Sequence, residues 1–207
     1  MFTGIITDIG TVKSVTRGTG GEWGDTRMDV TCAYDTDTID IGASISHAGA
    51  CMTVIEKGRT SDGLGWYAFE VSDESLSKTT MGNWAKGHRI NLERALTGAD
   101  ELGGHLVTGH VDGVGVLSGR SEIAGSIKLD FTAPDSIAFG IAPKGSITID
   151  GVSLTVNDAS GSAFSVNIIP HTAVATTLGA LQPGDEVNLE IDLIARYVAR
   201  YLSAMGK

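Results

Sequence analysis

The sequence predicts an all-β protein of two tandem small barrels followed by one C-terminal helix, and three observations carry that prediction. β-Branched residues recur in short alternating runs such as Ile147-Thr148-Ile149 and Ser165-Val166-Asn167-Ile168, punctuated by 28 glycines and only 4 prolines, a pattern of many short strands joined by tight turns. The chain also repeats itself once. Helical periodicity is confined to the end, where Leu193, Ile194, Tyr197, Val198, Tyr201, Leu202 and Met205 form an i, i+3/i+4 stripe with Arg196 and Arg200 outside it.

The repeat sets the domain organisation. SISHAGACMTV from Ser44 matches SITIDGVSLTV from Ser146 at five of eleven positions, where average residue usage predicts fewer than about one. Three weaker matches keep the same order: TGIITDIGTV with TGHVDGVGVL, ESLSKTTMG with HTAVATTLG, and GHRINLERAL with GDEVNLEIDL. Two copies are too few for a solenoid, so each closes on itself as a small barrel, which removes exposed strand edges. The expected boundaries are 1–97 and 98–190, joined near TGADELGG, with the helix over 191–207. A length of 207 residues suits two domains of about 100 residues, each able to bury a core.

Charge and composition exclude several classes. Lys+Arg 15 against Asp+Glu 25 gives a net charge of -10 with no basic run, which disfavours binding to a phosphate backbone. MFTGIITDIG lacks the basic start of a secretory signal, and no apolar run approaches the roughly 20 residues that span a bilayer. Cys32 and Cys51 lack C-x-x-C spacing and a nearby His pair, so neither a zinc site nor a disulfide framework is expected. A soluble, reducing, cytoplasmic setting fits these features.

Within the repeat, Cys51 stands at the position of Ser153, and each lies two residues before a threonine, Thr53 or Thr155. A lone cysteine here is ordinarily core filler. Its serine counterpart argues otherwise, because a purely apolar slot does not accept a hydroxyl, and a small polar group present twice suggests a ligand site present twice. His105 and His110 in GGHLVTGHVDG are five residues apart. On a strand they would face opposite ways, which does not suit one metal; a proton-transfer role and a simple turn role both stay open. Lys144, before Gly145, could hold a carbonyl oxygen, and a solvated loop lysine fits as well. Ser75 and Thr172, which follow the repeat partners Glu74 and His171, are expected to be N-caps of short helical turns.

Taken together, MFTGI, NLERAL, GGHLVTGHVDG, KGSITIDGVSLTV and IIPHT followed by TTLG resemble the alpha-chain type of riboflavin synthase, in its order and over nearly the whole chain. The resemblance implies two six-stranded Greek-key barrels, a C-terminal helix that helps assemble a homotrimer, and a cytoplasmic transferase needing no cofactor and no metal. Its reaction is the dismutation of two 6,7-dimethyl-8-ribityllumazine molecules, in a site between barrels of different subunits. It implies Ser44, Cys51, Thr53, Glu74 and Ser75 around one lumazine and Lys144, Ser153, Thr155, Ile169 and Thr172 around the other, with Phe2 and His110 near the reacting rings. Catalytic candidates are then His110 for proton transfer, Cys51 and Ser44; for addition at C7 the Cys51 thiol, a water and the ribityl hydroxyl are alternatives. The other reading is a non-catalytic lumazine- or flavin-binding protein of the same fold. One departure is local: relatives carry Asn-Gly-x-Cys-Leu-Thr where this chain has Ala48-Gly49-Ala50-Cys51-Met52-Thr53, which bears on the turn more than on the chemistry.

Overall fold

A computed structural model describes residues 1–18 and 25–206. The first half contains β1 (Asp8–Thr16), β2 (Thr26–Cys32), β3 (Ser44–His47), β4 (Ala50–Thr53), β5 (Glu56–Arg59), β6 (Gly65–Val71), the short helix α1 (Asp73–Lys78) and β7 (Arg89–Arg94). The second half repeats the series as β8 (Gly113–Ile123), β9 (Ser126–Thr132), α2 (Asp135–Ala138), β10 (Ser146–Ile149), β11 (Val152–Ser160), β12 (Ala163–Ile168), α3 (Pro170–Ala175) and β13 (Glu186–Ile191), and α4 (Leu193–Ala204) follows.

The second half is a closed barrel in the order β10-β11-β12-β9-β8-β13, a Greek-key path. The first half follows the same path with seven strands, β4-β3-β7-β1-β2-β6-β5. The count differs from the expected six because the counterpart of β11 is split in two. At the break Val54 N–H donates to Ala43 O and Ile55 N–H to Ala68 O, so the chain changes partner from β3 to β6 between adjacent residues. Bulges between Val12 and Ser14 and between Leu117 and Gly119 supply the extra bend that small barrels need.

Alternation places one face of every strand inward and yields two separate cores. Val12, Met28, Val30, Tyr67, Phe69, Ile90 and Leu92 fill the first; Leu117, Leu129, Phe131, Phe164, Val166, Val187 and Leu189 fill the second. Each fully buried aliphatic or aromatic side chain contributes about 1.5–3 kcal/mol. His47 belongs to the first core, with Nδ1 2.9 Å from Ile45 O and Nε2 2.8 Å from Tyr67 Oη; burial lowers its pKa to about 3, so it is neutral.

The helix expected over 191–207 begins at Leu193, because Ile191 ends β13 and the Asp192 carboxylate caps Ile194 N–H. Its apolar stripe lies outward, with Tyr197 68% and Tyr201 65% exposed. The polar side anchors it: Arg196 Nη2 is 2.8 Å from Asp112 Oδ2 and 3.2 Å from His110 O. No helix among the described residues is long and apolar enough to cross a membrane.

Candidate active site

The β3–β4 hairpin pairs Ser44 with Thr53 and Ser46 with Cys51. Because Ile45 lies in the core, the four polar residues share the opposite face, away from the barrel interior. The β10–β11 hairpin repeats this with Ser146 opposite Thr155 and Thr148 opposite Ser153. Both hairpins turn through two residues of positive φ, Ala48 (45°) and Gly49 (86°) in one, Asp150 (46°) and Gly151 (80°) in the other, as a two-residue hairpin turn with right-handed strand twist requires. A Cβ on Gly49 would stand 2.9 Å from Gly151 N, so the two turns pack directly on each other.

Short helices flank these faces. The antiparallel register of β6 with β5, Glu56 opposite Ala68, brings the end of β6 beside Thr53, and α1 with Glu74 and Ser75 starts there. In the other barrel Val166 opposes Val156, so Ile169 and α3 with Thr172 begin beside Ser153. The expected capping is corrected here. Ser72 caps α1 by accepting from Ser75 N–H, while Ile169 occupies the cap of α3 without a side-chain bond; Ser75 and Thr172 sit in the first turns, and their carbonyls accept from Thr79 Oγ1 and Thr176 Oγ1. Lys144 lies at the rim of the second barrel with φ 67° where the first has Gly42 at 90°, a left-handed backbone that costs a lysine about 1 kcal/mol.

The segment carrying both histidines is not a strand; it has a single bridge, Val107 with Phe2, so the two imidazoles are not fixed on opposite faces. Their surroundings differ. His105 Nδ1 is 2.7 Å from Ser153 Oγ and its Nε2 is 3.3 Å from Thr148 Oγ1. Burial lowers its pKa, with Asp192 opposing, which leaves a neutral ring at neutral pH. His110 is exposed and follows Gly109, whose carbonyl accepts from Cys51 N–H at 2.8 Å. Phe2, expected beside the reacting rings, is 0% exposed. A Cβ on Gly109 would lie 2.8 Å from Phe2 Cε2 and 2.7 Å from Cys51 Cβ, so the ring and the Cys51 strand both close on Gly109.

Ser44, Cys51 and Thr53 thus share one hairpin face, as do Ser153 and Thr155. Sequence reasoning did not single out Ser46 or Thr148, which the hairpin pairing makes face-mates of Cys51 and Ser153, and it left His105 open between a proton-transfer and a turn role. Among the described residues no group of three His, Cys, Asp or Glu is placed to hold a metal ion.

Two copies of one polar hairpin face, on tandem Greek-key barrels that meet at their turns, define a protein with a duplicated small-molecule site. The lumazine binding domain family matches residues 3–95 and again 108–192. The chain is 44% identical to riboflavin synthase of Brucella abortus (strain 2308), with 97% of each chain covered. It is 37% identical to that of Photobacterium phosphoreum, covering 98% of this chain and 89% of that one, and 32% identical to that of Bacillus subtilis (strain 168), covering 98% and 90%. In fold it is similar to LumP complexed with riboflavin, with a TM-score of 0.77 at 23% identity over 92% of this chain and 99% of that one. The chain belongs to the riboflavin synthase family.

Proposed function

We infer that the chain catalyses the dismutation of two molecules of 6,7-dimethyl-8-ribityllumazine, one giving a four-carbon unit to the other, to yield riboflavin and 5-amino-6-(D-ribitylamino)uracil. Family membership with both hairpin faces intact carries the reading. Donor and acceptor are the same compound, so a duplicated site is what the chemistry asks for. The C7 methyl of the lumazine is acidic because its carbanion delocalises into the ring system, so a modest base and correct stacking suffice. Two imidazoles can move that proton: His105, neutral and hydrogen-bonded to Ser153, and His110, beside the segment that holds Cys51. Glu74, Ser75, Ser44 and Thr53 on one barrel, and Lys144, Ile169, Thr172 and Thr155 on the other, are the ligand contacts of this reading, with Phe2 buried against Gly109 beside Cys51.

The working unit of this reading is a cytoplasmic homotrimer whose site forms between barrels of different subunits and holds two lumazines. Its support is the apolar stripe of α4, which none of the described residues covers. Purified protein mixed with the lumazine alone is expected to release riboflavin and the pyrimidine in equal amounts. Tight binding of the lumazine without turnover would overturn the reading in favour of a carrier.

A further inference from the structure

Two buried glutamates that the chemistry above does not use occupy equivalent places. Glu93, in β7, accepts from Thr3 N–H at 2.6 Å, Thr3 Oγ1 at 2.7 Å and Gly4 N–H at 2.9 Å. Glu190, in β13, accepts from Thr108 N–H at 2.7 Å, Thr108 Oγ1 at 2.6 Å and Gly109 N–H at 3.0 Å. Their relative exposures are 4% and 2%. Burial raises both carboxyl pKa values, and these same hydrogen-bond donors act against it.

Each held glycine then reaches into the opposite barrel. Gly4 and Gly109 share a φ of +78°, and a Cβ on Gly4 would lie 2.5 Å from Ser153 Cβ. Gly4 O accepts from Ser153 N–H, and Gly109 O from Cys51 N–H, both at 2.8 Å. A carboxylate in the first barrel is therefore two hydrogen-bonded steps from Ser153 in the second, and a carboxylate in the second is two steps from Cys51 in the first. With a Cβ-sized gap excluded at both glycines, a shift of either Thr-Gly pair is passed to the strand it touches.

We propose that Glu93 and Glu190 are crossed positioning residues: Glu93 sets the placement of Ser153, and Glu190 sets that of Cys51, so neither half of the duplicated site is built by its own barrel alone. The proposal rests on the reading of Cys51 and Ser153 as the paired site, but its first test needs no turnover.

In the ligand-free full chain, Glu190→Gln is expected to speed hydrogen exchange of the Cys51 amide, and alkylation of Cys51 by iodoacetamide, by about tenfold while leaving the Ser153 amide unchanged. Glu93→Gln is expected to do the reverse. With the lumazine, each is expected to lower kcat by about tenfold with KM changed less than about threefold, as loss of alignment rather than of binding predicts. Thr108→Val and Thr3→Val, which delete one of the three bonds, are expected to give the same crossed pattern more weakly and decide the matter alone if a Gln variant does not fold. Loosening within the substituted barrel, equal loosening of both amides, or a crossed pattern without loss of kcat would overturn the proposal. A parent chain that binds but does not turn over would instead overturn the enzymatic reading, with the exchange result unaffected.

Discussion

Asn91 and Asn188 exchange partners between the barrels: Asn91 Nδ2 donates to Asp150 O at 2.9 Å, and Asn188 Nδ2 donates to Ala48 O at 2.8 Å. Their Oδ1 atoms accept from Thr177 N–H and Thr80 N–H, each at 2.8 Å. Both side chains are buried, so each amide ties a hairpin turn and a helical turn of the other barrel to its own strand. This clamp acts with the Ser153–Gly4 and Cys51–Gly109 backbone bonds to hold two domains with separate cores in one arrangement.

Removing either amide strands a backbone carbonyl and a backbone N–H. Asn91→Ala or Asn188→Ala is expected to cost about 2–4 kcal/mol. Urea unfolding followed by tryptophan fluorescence and circular dichroism checks this; the two probes are expected to coincide in the parent chain and to separate in the variants.

The two turns differ at one residue. Asp150 Oδ1 accepts from Asn188 N–H at 2.8 Å, whereas Ala48 offers Asn91 no such acceptor and holds φ 45° without the local hydrogen bonding that lets Asn or Asp adopt it. Ala48→Asn is therefore expected to stabilise the chain by about 1 kcal/mol, read as a higher urea midpoint at unchanged slope. An unchanged or lower midpoint would mean that the Ala48 turn lacks room for the amide.

Asp150 makes stability depend on pH. Burial raises its pKa from 3.8 to about 7. Below about pH 4 the group is protonated in both states and contributes nothing; between about 4 and 7 the unfolded chain ionises first, so stability falls as pH rises, by a few kcal/mol in all. Asp150→Asn keeps the acceptor and the turn, and is expected to match the parent near pH 4 and exceed it at pH 8. Glu93 and Glu190, raised in the same direction, leave a residual slope.

The imidazoles and the thiol separate kinetically. His105→Gln is expected to lower kcat by about 10²-fold or more, and the acid limb of the parent's rate profile is expected below 6.5, since burial lowers the His105 pKa from that value. If His110 carries the proton instead, His110→Gln will show the larger loss. Cys51→Ser copies the choice made at Ser153 and is expected to keep activity within about tenfold of the parent; a far greater loss would make sulfur obligatory.

Assembly is tested on α4. Tyr197→Asp with Tyr201→Asp places charge on the exposed stripe and is expected to yield a folded monomer by light scattering with little activity. A parent chain fully active as a monomer at high dilution would sink the intersubunit site.

Much of this molecule was legible in its sequence. Repeats preserve order whatever the fold, so the matches from Ser44 with Ser146 and from Gly87 with Gly184 showed two like units and the equivalence of Cys51 with Ser153, while apolar periodicity marked the final helix. Strand alternation, a local property of the backbone, indicated which residues share a face. Only the tertiary structure decided what lies across from what. Val54 and Ile55 split one strand through a change of partner that no local pattern encodes. His105, whose role its spacing left open, is bonded to Ser153, and Glu93 and Glu190, unremarked within the repeated NLE, reach the opposite barrel through Gly4 and Gly109. Those contacts join residues tens of positions apart through hydrogen bonds that exist only once both barrels have closed and docked, and a linear sequence carries periodicity but not that distance.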